Sequence, residues 1–303
     1  MNDNFNPTKQ DLFLLNWLLL IFILVVAMII IGGITRITDS GLSMVEWRPF
    51  LGFLPPLNNQ EWERVFDLYK NTPEYSFYNK GMLISEFKFI FFWEYFHRLW
   101  GRIIGIVFII PFIYFIVTKK IDKFITVRLL VILFFGSLQA FIGWWMVKSG
   151  LIDKPDVSQY RLAIHFGNSL LILFLLFWLI LDLKYKKSRI KFDLNLIIFF
   201  IIFVTIIAGS LVAGMDAGLM YNTYPLMNDS FFPSDYLSLG LIDPFENPGS
   251  AQFHHRHLGF ISLVAIGIFF VKNFYQKKVF LDLVFLIILI VAQFVLGIYI
   301  LLN

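Results

Sequence analysis

The chain has 303 residues, of which 58% are hydrophobic and 15% charged, and its mean hydropathy is +0.75. A soluble domain averages about 25% charged residues, so this composition excludes an ordinary soluble protein and indicates an all-α, polytopic membrane bundle. The formal net charge of +4 indicates no nucleic-acid partner, and the lack of cysteine excludes disulfides, thiolate ligands and iron–sulfur clusters.

Seven apolar runs are long enough to cross a bilayer, which takes about 20 residues of helix. In chain order they are predicted at 12–35, 89–117, 129–147, 161–182, 193–213, 253–271 and 279–302. The short polar stretch before the first run has no Arg-rich transit pattern and no cleavage site, so we expect the first run to be retained. This pattern favours a bacterial inner membrane over an imported organellar protein.

Three short connections between the runs are rich in lysine and arginine, and the positive-inside rule places them in the cytoplasm. Their basic residues are Lys119, Lys120, Lys123, Arg128, Lys184, Lys186, Lys187, Arg189, Lys191, Lys272, Lys277 and Lys278. The N-terminus is then cytoplasmic as well. The long connections 36–88 and 214–252 face outward, and their many Pro, Gly, Asn and Tyr residues predict ordered turns. The second of them contains acids but no Lys or Arg.

The two halves of the chain carry the same short motifs in the same order. The corresponding pairs are SGLSM (40–44) with AGLMY (217–221), Phe96-His97-Arg98 with His254-His255-Arg256, and Gln139 and Gly143 with Gln293 and Gly297. This order predicts a tandem duplication of a four-helix unit, with an N-terminal half at 1–191 and a C-terminal half at 192–303.

The duplication also predicts an eighth span. His165 lies 26 residues after Gln139, and the same spacing from Gln293 reaches about position 319, beyond residue 303. Seven spans are therefore expected in this sequence, and the last span, with its histidine, is expected to be missing through truncation rather than natural loss.

All five histidines lie near the starts of even-numbered spans. His97, His165 and His255 are predicted at similar depth near the outer leaflet, and His254 and His257 flank the last of them. Facing histidines in a helical bundle commonly hold a porphyrin iron, whereas a zinc site lacks the Cys or carboxylate ligands that would complete it. A lone interfacial histidine is more often a hydrogen-bonded polar residue, so the prediction depends on the three occurring together.

Charged neighbours accompany these histidines. Glu94 lies one helical turn before His97, and Arg98 and Arg256 follow His97 and His255 directly, where guanidinium groups could meet propionates. Arg102 and Arg161 could act in the same way. Two simpler interpretations remain open, since the arginines could be snorkelling anchors and Glu94 could only be the ion-pair partner of Arg98.

These features resemble the heme A synthases of the proteobacterial and mitochondrial type, over nearly the whole chain. The resemblance is carried by GGITRITDSGLSMVEWRPFLGFLPPLNNQEW (32–62), NKGMLISEFKFIFFWEYFHRLWGRIIG (79–105), AGMDAGLMYNTYPLMN (213–228) and QFHHRHLGF (252–260). It implies eight spans in two four-helix halves, with a substrate heme in one half, a heme b cofactor in the other, and oxidation of the ring methyl of heme O to the formyl group of heme A.

Position by position, the resemblance implies a role for several residues. Glu94, His97 and His165 correspond to the substrate site, with His97 and His165 as iron ligands, and His255 corresponds to a ligand of heme b, whereas His254 takes a variable position. Arg98 and Arg256 are expected to bind the heme propionates. The chain departs from the family in lacking the eighth span and the cysteine pair that some members carry.

Two other functions remain open from the sequence. A di-heme b-type electron carrier would bind the same hemes without modifying them, and only the product distinguishes it. A transporter would place ionisable residues near the bilayer midplane, whereas here they cluster near one leaflet. For the synthase, the expected partners are heme O, a heme O synthase, an electron acceptor and the lipid bilayer, with a homo-oligomer possible.

Overall fold

The computed structural model describes residues 9–47, 52–152, 155–185, 193–276 and 281–303, with side chains from residue 12 onward. Within these ranges the chain forms ten α-helices and no strand, which confirms the all-α prediction. The helices are α1 (Lys9–Ile37), α2 (Asn59–Lys70), α3 (Pro73–Phe77), α4 (Ile84–Val117), α5 (Lys123–Gly150), α6 (Gln159–Tyr185), α7 (Leu194–Gly214), α8 (Asp243–Glu246), α9 (Pro248–Tyr275) and α10 (Leu281–Leu302).

Seven of these helices, α1, α4, α5, α6, α7, α9 and α10, are long and apolar enough to cross a membrane, as predicted. Several begin before the predicted run because hydrogen-bonding caps, rather than hydropathy, decide where a helix starts. Asp122 accepts from the Ile125 amide at 2.7 Å and starts α5 at Lys123. Asn247 accepts from the Gly249 amide at 2.9 Å and starts α9 at Pro248.

The chain divides into two compact units, residues 1–188 (unit 1) and 189–303 (unit 2). The predicted boundary between 191 and 192 lies outside the described residues, as do Arg48 and the basic residues Lys186, Lys187, Arg189, Lys191, Lys277 and Lys278. The assignment of one heme to each half stays a prediction.

Unit 1 is a bundle of four spanning helices in which α1 and α5 each pack against both α4 and α6. Its buried core occupies the end of the bundle away from the histidines, because it is formed by residues 14–25 of α1, 108–115 of α4, 129–132 of α5 and 172–180 of α6. Trp17 ties α1 to α4 there by donating to the Val107 carbonyl at 2.8 Å. The opposite end of the bundle carries the glycines and histidines described below.

The long connection 36–88 of unit 1 is called the outer connection, after its predicted orientation. Its described part is ordered, as the turn-rich composition predicted. Helices α2 and α3 fold back onto the first turns of α4, where Phe66, Tyr69, Phe87, Ile90 and Phe91 form a second buried cluster. This packing fixes the connection above the histidine-bearing end of α4.

In unit 2, α9 packs against both α7 and α10. The connection between α7 and α9 contains short 3₁₀ turns at Ala217–Leu219 and Gly240–Ile242, followed by α8. Tyr221, Met227 and Phe253 form a small core that joins this connection to the start of α9.

Candidate functional site

His97 and His165 lie in unit 1 on α4 and α6, the two helices that share α1 and α5 as neighbours. Both histidines lie at the end of the bundle opposite to its apolar core. Each ring is half-buried, so it keeps accessible surface although it lies within the bundle. The structure therefore brings together the two histidines that the sequence predicted as partners.

Each of the three predicted ligand histidines lies against a glycine of the preceding spanning helix. A Cβ atom added to Gly32 would be 3.4 Å from Nε2 of His97, and one added to Gly143 would be 3.0 Å from Cε1 of His165. A Cβ on Gly209 would be only 2.8 Å from Cε1 of His255. The contact at Gly32 is an ordinary van der Waals distance, whereas a side chain at Gly143 or Gly209 would come close enough to displace the imidazole.

Gln139 on α5 holds His165 from a second direction. Its amide nitrogen donates to the main-chain oxygen of His165 at 3.0 Å and lies 3.2 and 3.3 Å from the two ring nitrogens. Its carbonyl oxygen accepts from Asn168 at 2.6 Å, which fixes the orientation of the amide. The sequence singled out Gln139 only as a member of the repeat, and its contact with His165 was not foreseen.

Glu94 and Arg98 clasp the outer connection of unit 1 to α4. Glu94 is 3% exposed, and its carboxylate accepts from the Ser43 hydroxyl and the Met44 amide, both at 2.7 Å, and from Arg98 at 2.5 Å. Arg98 donates to the Met44 and Glu46 carbonyls at 2.9 and 3.2 Å. The simpler interpretation of Glu94 as an ion-pair partner is thus satisfied, and its carboxylate also binds the connection.

His255 in unit 2 has one ring nitrogen held by the neighbouring helix and the other available to a ligand. Its Nδ1 lies 3.1 Å from the Thr205 carbonyl of α7. A carbonyl oxygen can only accept, so Nδ1 carries the proton and the lone pair of the neutral ring is on Nε2. No described residue hydrogen-bonds Nε2, which leaves this nitrogen ready to bind iron, and such a bond from the distal nitrogen is the usual support of a metal-bound histidine.

Gln252 and Arg256 form the corresponding clasp of unit 2. Gln252 donates to the Gly218 and Tyr221 carbonyls, both at 3.1 Å, and Arg256 donates to the Tyr221 and Thr223 carbonyls at 2.6 and 2.8 Å. The Nε atom of Arg256 is buried and has no partner among the described residues. A carboxylate is the natural acceptor for such a donor. The unsatisfied Nε of Arg256 therefore favours binding of a propionate over a role as a membrane anchor alone.

The remaining predicted residues have other partners. His257 bonds the Phe253 carbonyl through Nδ1 at 2.8 Å and packs on the Phe253 ring, whereas Nε2 of His254 is buried without a partner among the described residues. Arg161 donates to the Trp145 carbonyl at 2.6 Å, and Arg102 lies over the Phe53 ring. None of these four side chains contacts a predicted ligand histidine through a described hydrogen bond.

Within the described residues, which include all five histidines, no three His, Cys, Asp or Glu side chains group as a bare metal ion would require. A porphyrin iron needs only axial ligands from the protein, because the ring supplies the others. The donor set therefore fits heme: paired imidazoles in unit 1, and in unit 2 an imidazole with Nε2 available beside an arginine with an unsatisfied donor.

Comparison with known proteins gives the family. Residues 15–303 match the family described as "Cytochrome oxidase assembly protein". The chain belongs to this family. No solved structure matches it.

Several curated proteins that are similar to this chain carry the name "Heme A synthase". The chain is 45% identical over 290 residues to the "Heme A synthase" of Wolbachia pipientis subsp. Culex pipiens, which covers 93% of this chain and 86% of that protein. It is 43% identical over 270 residues to that of Nitrosospira multiformis, covering 85% and 75% of the two chains. For Maricaulis maris the identity is 45% over 260 residues, covering 84% and 75%.

Proposed function

We propose that this chain is a membrane heme A synthase, an oxidoreductase that converts the ring methyl of heme O to the formyl group of heme A for cytochrome oxidase assembly. Its family membership, its seven apolar spans and the name of its relatives support this function. The observation that carries the proposal is the pair His97 and His165, seated against glycines within one four-helix bundle.

The substrate site is proposed to lie in unit 1. His97 and His165 bind the iron of heme O from opposite helices of the bundle, which fixes the porphyrin and hence the position of the methyl group that reacts. Gln139 keeps the His165 ring in place. The tightly packed core at the other end of the bundle keeps the ring at the end that carries the histidines.

Glu94 is proposed to take up a proton during the oxidation. With water as the source of oxygen, conversion of a methyl to a formyl group releases protons and electrons. The predicted electron acceptor would take the electrons, and a base near the reacting carbon would take up a proton. Glu94 is the one buried carboxylate on α4 and lies one turn from His97. Its three hydrogen-bond donors, which include Arg98, hold the carboxylate in a single position.

Unit 2 is proposed to hold heme b as a cofactor, which would supply one-electron redox chemistry when bound. His255 would bind its iron through Nε2, since Nδ1 is engaged by Thr205. Arg256 would bind a propionate through its unsatisfied Nε. Arg98 plays the matching part in unit 1, although most of its donors are used by the outer connection.

The protein is proposed to lie in the bacterial inner membrane with its N-terminus in the cytoplasm. The described lysines 119, 120, 123, 184 and 272 follow this orientation, since they lie at the ends of the spans opposite to the histidines. A heme O synthase as donor of the substrate, an electron acceptor and a homo-oligomer remain predicted partners.

The function is tested by extracting hemes from cells that express the chain beside a heme O synthase. We expect heme A from the wild-type chain and none above background from His97→Ala or His165→Ala. His257→Gln provides a matched control, because it also removes a histidine but one that packs on Phe253. Normal heme A yield from either alanine variant would contradict the assignment of the substrate site.

The same extraction distinguishes a heme A synthase from a di-heme electron carrier. A carrier would leave heme O or heme b unchanged in the wild-type chain, whatever the histidine variants do. His255→Ala separates the two units, because we expect it to lose the spectrum of heme b while unit 1 still binds heme O.

A further inference from the structure

Residues 237–245, LSLGLIDPF, form a projecting segment of unit 2 that we name the apolar finger. Five of its large apolar side chains, those of Leu237, Leu239, Leu241, Ile242 and Phe245, are exposed, and Leu241 is 97% exposed. Scattered exposed apolar residues need no explanation, but a contiguous group of this kind in a loop marks an interaction surface.

The single charged residue of the finger is turned inward. Asp243 is 0% exposed and accepts from the Leu237 and Leu239 amides at 2.9 and 3.1 Å, and from the Ser238 hydroxyl at 3.3 Å. Asn247 and Ser250, at the start of α9, also donate to it. These bonds lower the pKa of Asp243 to about 2 against the effect of burial, so the carboxylate stays ionised and internally paired.

Much of the finger's backbone is also satisfied internally. Besides the two amides bound by Asp243, the Gly240 amide donates to the Leu237 carbonyl at 3.0 Å, and Leu237 and Gly240 adopt the left-handed region with φ of 62° and 64°. A segment whose charge and amides are paired internally can leave water at low cost, whereas an open loop cannot. The finger is therefore an apolar projection whose conformation is fixed by its own hydrogen bonds.

The finger lies at the depth of a bilayer surface. Helix α9 starts at Pro248, three residues after the finger, and its 28 residues span about 42 Å, which exceeds the roughly 30 Å hydrocarbon core. With Lys272 at the cytoplasmic boundary, the outer boundary falls near Gln252, about 20 residues earlier. The finger then begins about one helical turn above the acyl chains, within reach of them.

We propose that the apolar finger inserts into the outer leaflet and anchors the α7–α9 connection of unit 2 to the bilayer. The side chains of the finger lie at the boundary between the lipid headgroups and the acyl chains, which is the environment that apolar side chains without exposed charge prefer at a membrane interface. A docking protein is less well matched, because none of the finger's exposed side chains carries a charge that would orient a partner.

The test uses the natural lack of cysteine in this chain. The full-length variant Leu241→Cys is spin-labelled and reconstituted into phosphatidylethanolamine and phosphatidylglycerol vesicles, and its collision rates with oxygen and with a water-soluble nickel chelate are measured. Ile268→Cys on α9 is the control for a lipid-facing position, and Asp229→Cys at an exposed turn is the control for water. Leu241 buries almost nothing, so its replacement removes no packing, and Ile242→Cys provides a second position.

We expect the ratio of oxygen to nickel collisions at position 241 to match that at 268 and to exceed that at 229 several-fold. A ratio equal to that at 229 would place the finger in water and overturn the proposal. Low collision rates with both reagents would also overturn it, because they would show the finger covered by protein, from a second copy or from another part of the chain.

Discussion

At the scale of single residues, the three proposed ligand histidines share one arrangement: an imidazole of one spanning helix lies against a glycine of the spanning helix before it. The pairs are His97 with Gly32, His165 with Gly143, and His255 with Gly209. A glycine at such a contact lets the ring approach the neighbouring backbone, and at Gly143 and Gly209 an added Cβ would push the ring away. The glycines are thus part of the proposed heme sites although they offer no ligand atoms.

The first prediction tests this arrangement with Gly143→Ala. The added methyl group would lie 3.0 Å from Cε1 of His165, so the ring must move. We expect heme affinity at the unit 1 site to fall about tenfold or more, on the scale of disturbed second-shell partners of metal ligands, with a changed absorption spectrum. Gly136→Ala on the same helix is the control, because nothing lies within 4 Å of its added Cβ. Equal heme binding by the two variants would refute the steric argument.

The second prediction concerns Glu94, whose counterpart in unit 2 is Gln252. The two residues have opposite hydrogen-bonding roles. Glu94 accepts a hydrogen bond from a backbone amide of its connection, whereas Gln252 donates to backbone carbonyls of its connection. If Glu94 moves a proton, Glu94→Gln keeps the shape and removes the base. Heme A yield should then fall about a hundredfold or more, and heme O or a partly oxidised heme should accumulate.

A matched variant separates chemistry from positioning at Glu94. Ser43→Ala removes one donor to the carboxylate and loosens the clasp without changing Glu94 itself. We expect this variant to keep most of its heme A yield. Should it fail as completely as Glu94→Gln, the role of Glu94 would be to hold the connection.

At the scale of elements, each unit fastens its outer connection to the helix that carries a ligand histidine. Residues 43–46 are bound to α4 by Glu94 and Arg98, and residues 218–226 are bound to α9 by Gln252 and Arg256. These segments overlap the motifs SGLSM (40–44) and AGLMY (217–221) that the sequence repeat aligned. The repeat therefore reflects a recurring contact between a connection and a helix, as well as a recurring helix pattern.

The third prediction concerns the stability of the outer connection of unit 1. Glu74 of α3 is buried, accepts from Tyr69 at 2.8 Å, and has its pKa raised to about 8 by burial, with further contributions from the charges of Glu94, Asp39 and Asp156. A carboxyl group whose folded pKa lies above its ordinary value binds its proton more tightly in the folded state. The contribution of Glu74 to the free energy of unfolding is thus greatest below pH 4.5 and falls as the pH rises toward about 8.

Glu74→Gln removes this dependence because the amide stays neutral. We expect its unfolding temperature in detergent to exceed that of the wild-type chain by a margin that grows as the pH rises from about 5 to 8 and then levels off. Glu63→Gln on the exposed face of α2 is the control and should show no such trend. A margin that shrinks with rising pH would contradict a raised pKa at Glu74.

At the scale of the whole molecule, the fourth prediction concerns orientation. The described lysines 119, 120, 123, 184 and 272 lie at the ends of the spanning helices opposite to the histidines, which predicts that the two long connections face outward. In intact cells an impermeant maleimide should label Asp229→Cys, and it should label Lys123→Cys only after lysis. The lack of native cysteine removes background from this measurement. Labelling in the reverse order would invert the topology and move the proposed heme sites to the cytoplasmic side.

Much of this protein follows from local pattern. Hydropathy alone predicted all seven spans, because a bilayer demands long apolar helices wherever a chain crosses it. The motifs around Glu94, His97 and His255 were enough to indicate the family, since they are unbroken in sequence. The predicted starts of α4, α5 and α9 were late by five or six residues, because caps and the first polar turns lie beyond the apolar pattern that hydropathy detects.

The sequence by itself thus determined the class, the number of spans and the candidate ligands of this protein. Only the tertiary structure decided that Gln139 holds His165, that glycines of preceding helices seat the histidines, and that Arg98 and Arg256 bind the connections. Apart from the contacts of His165 with Gln139 and Gly143, which span 26 and 22 residues, these hydrogen bonds and close approaches join residues more than 30 positions apart in different elements. Such contacts depend on how helices pack around one another, and the local periodicity of a sequence does not predict that packing.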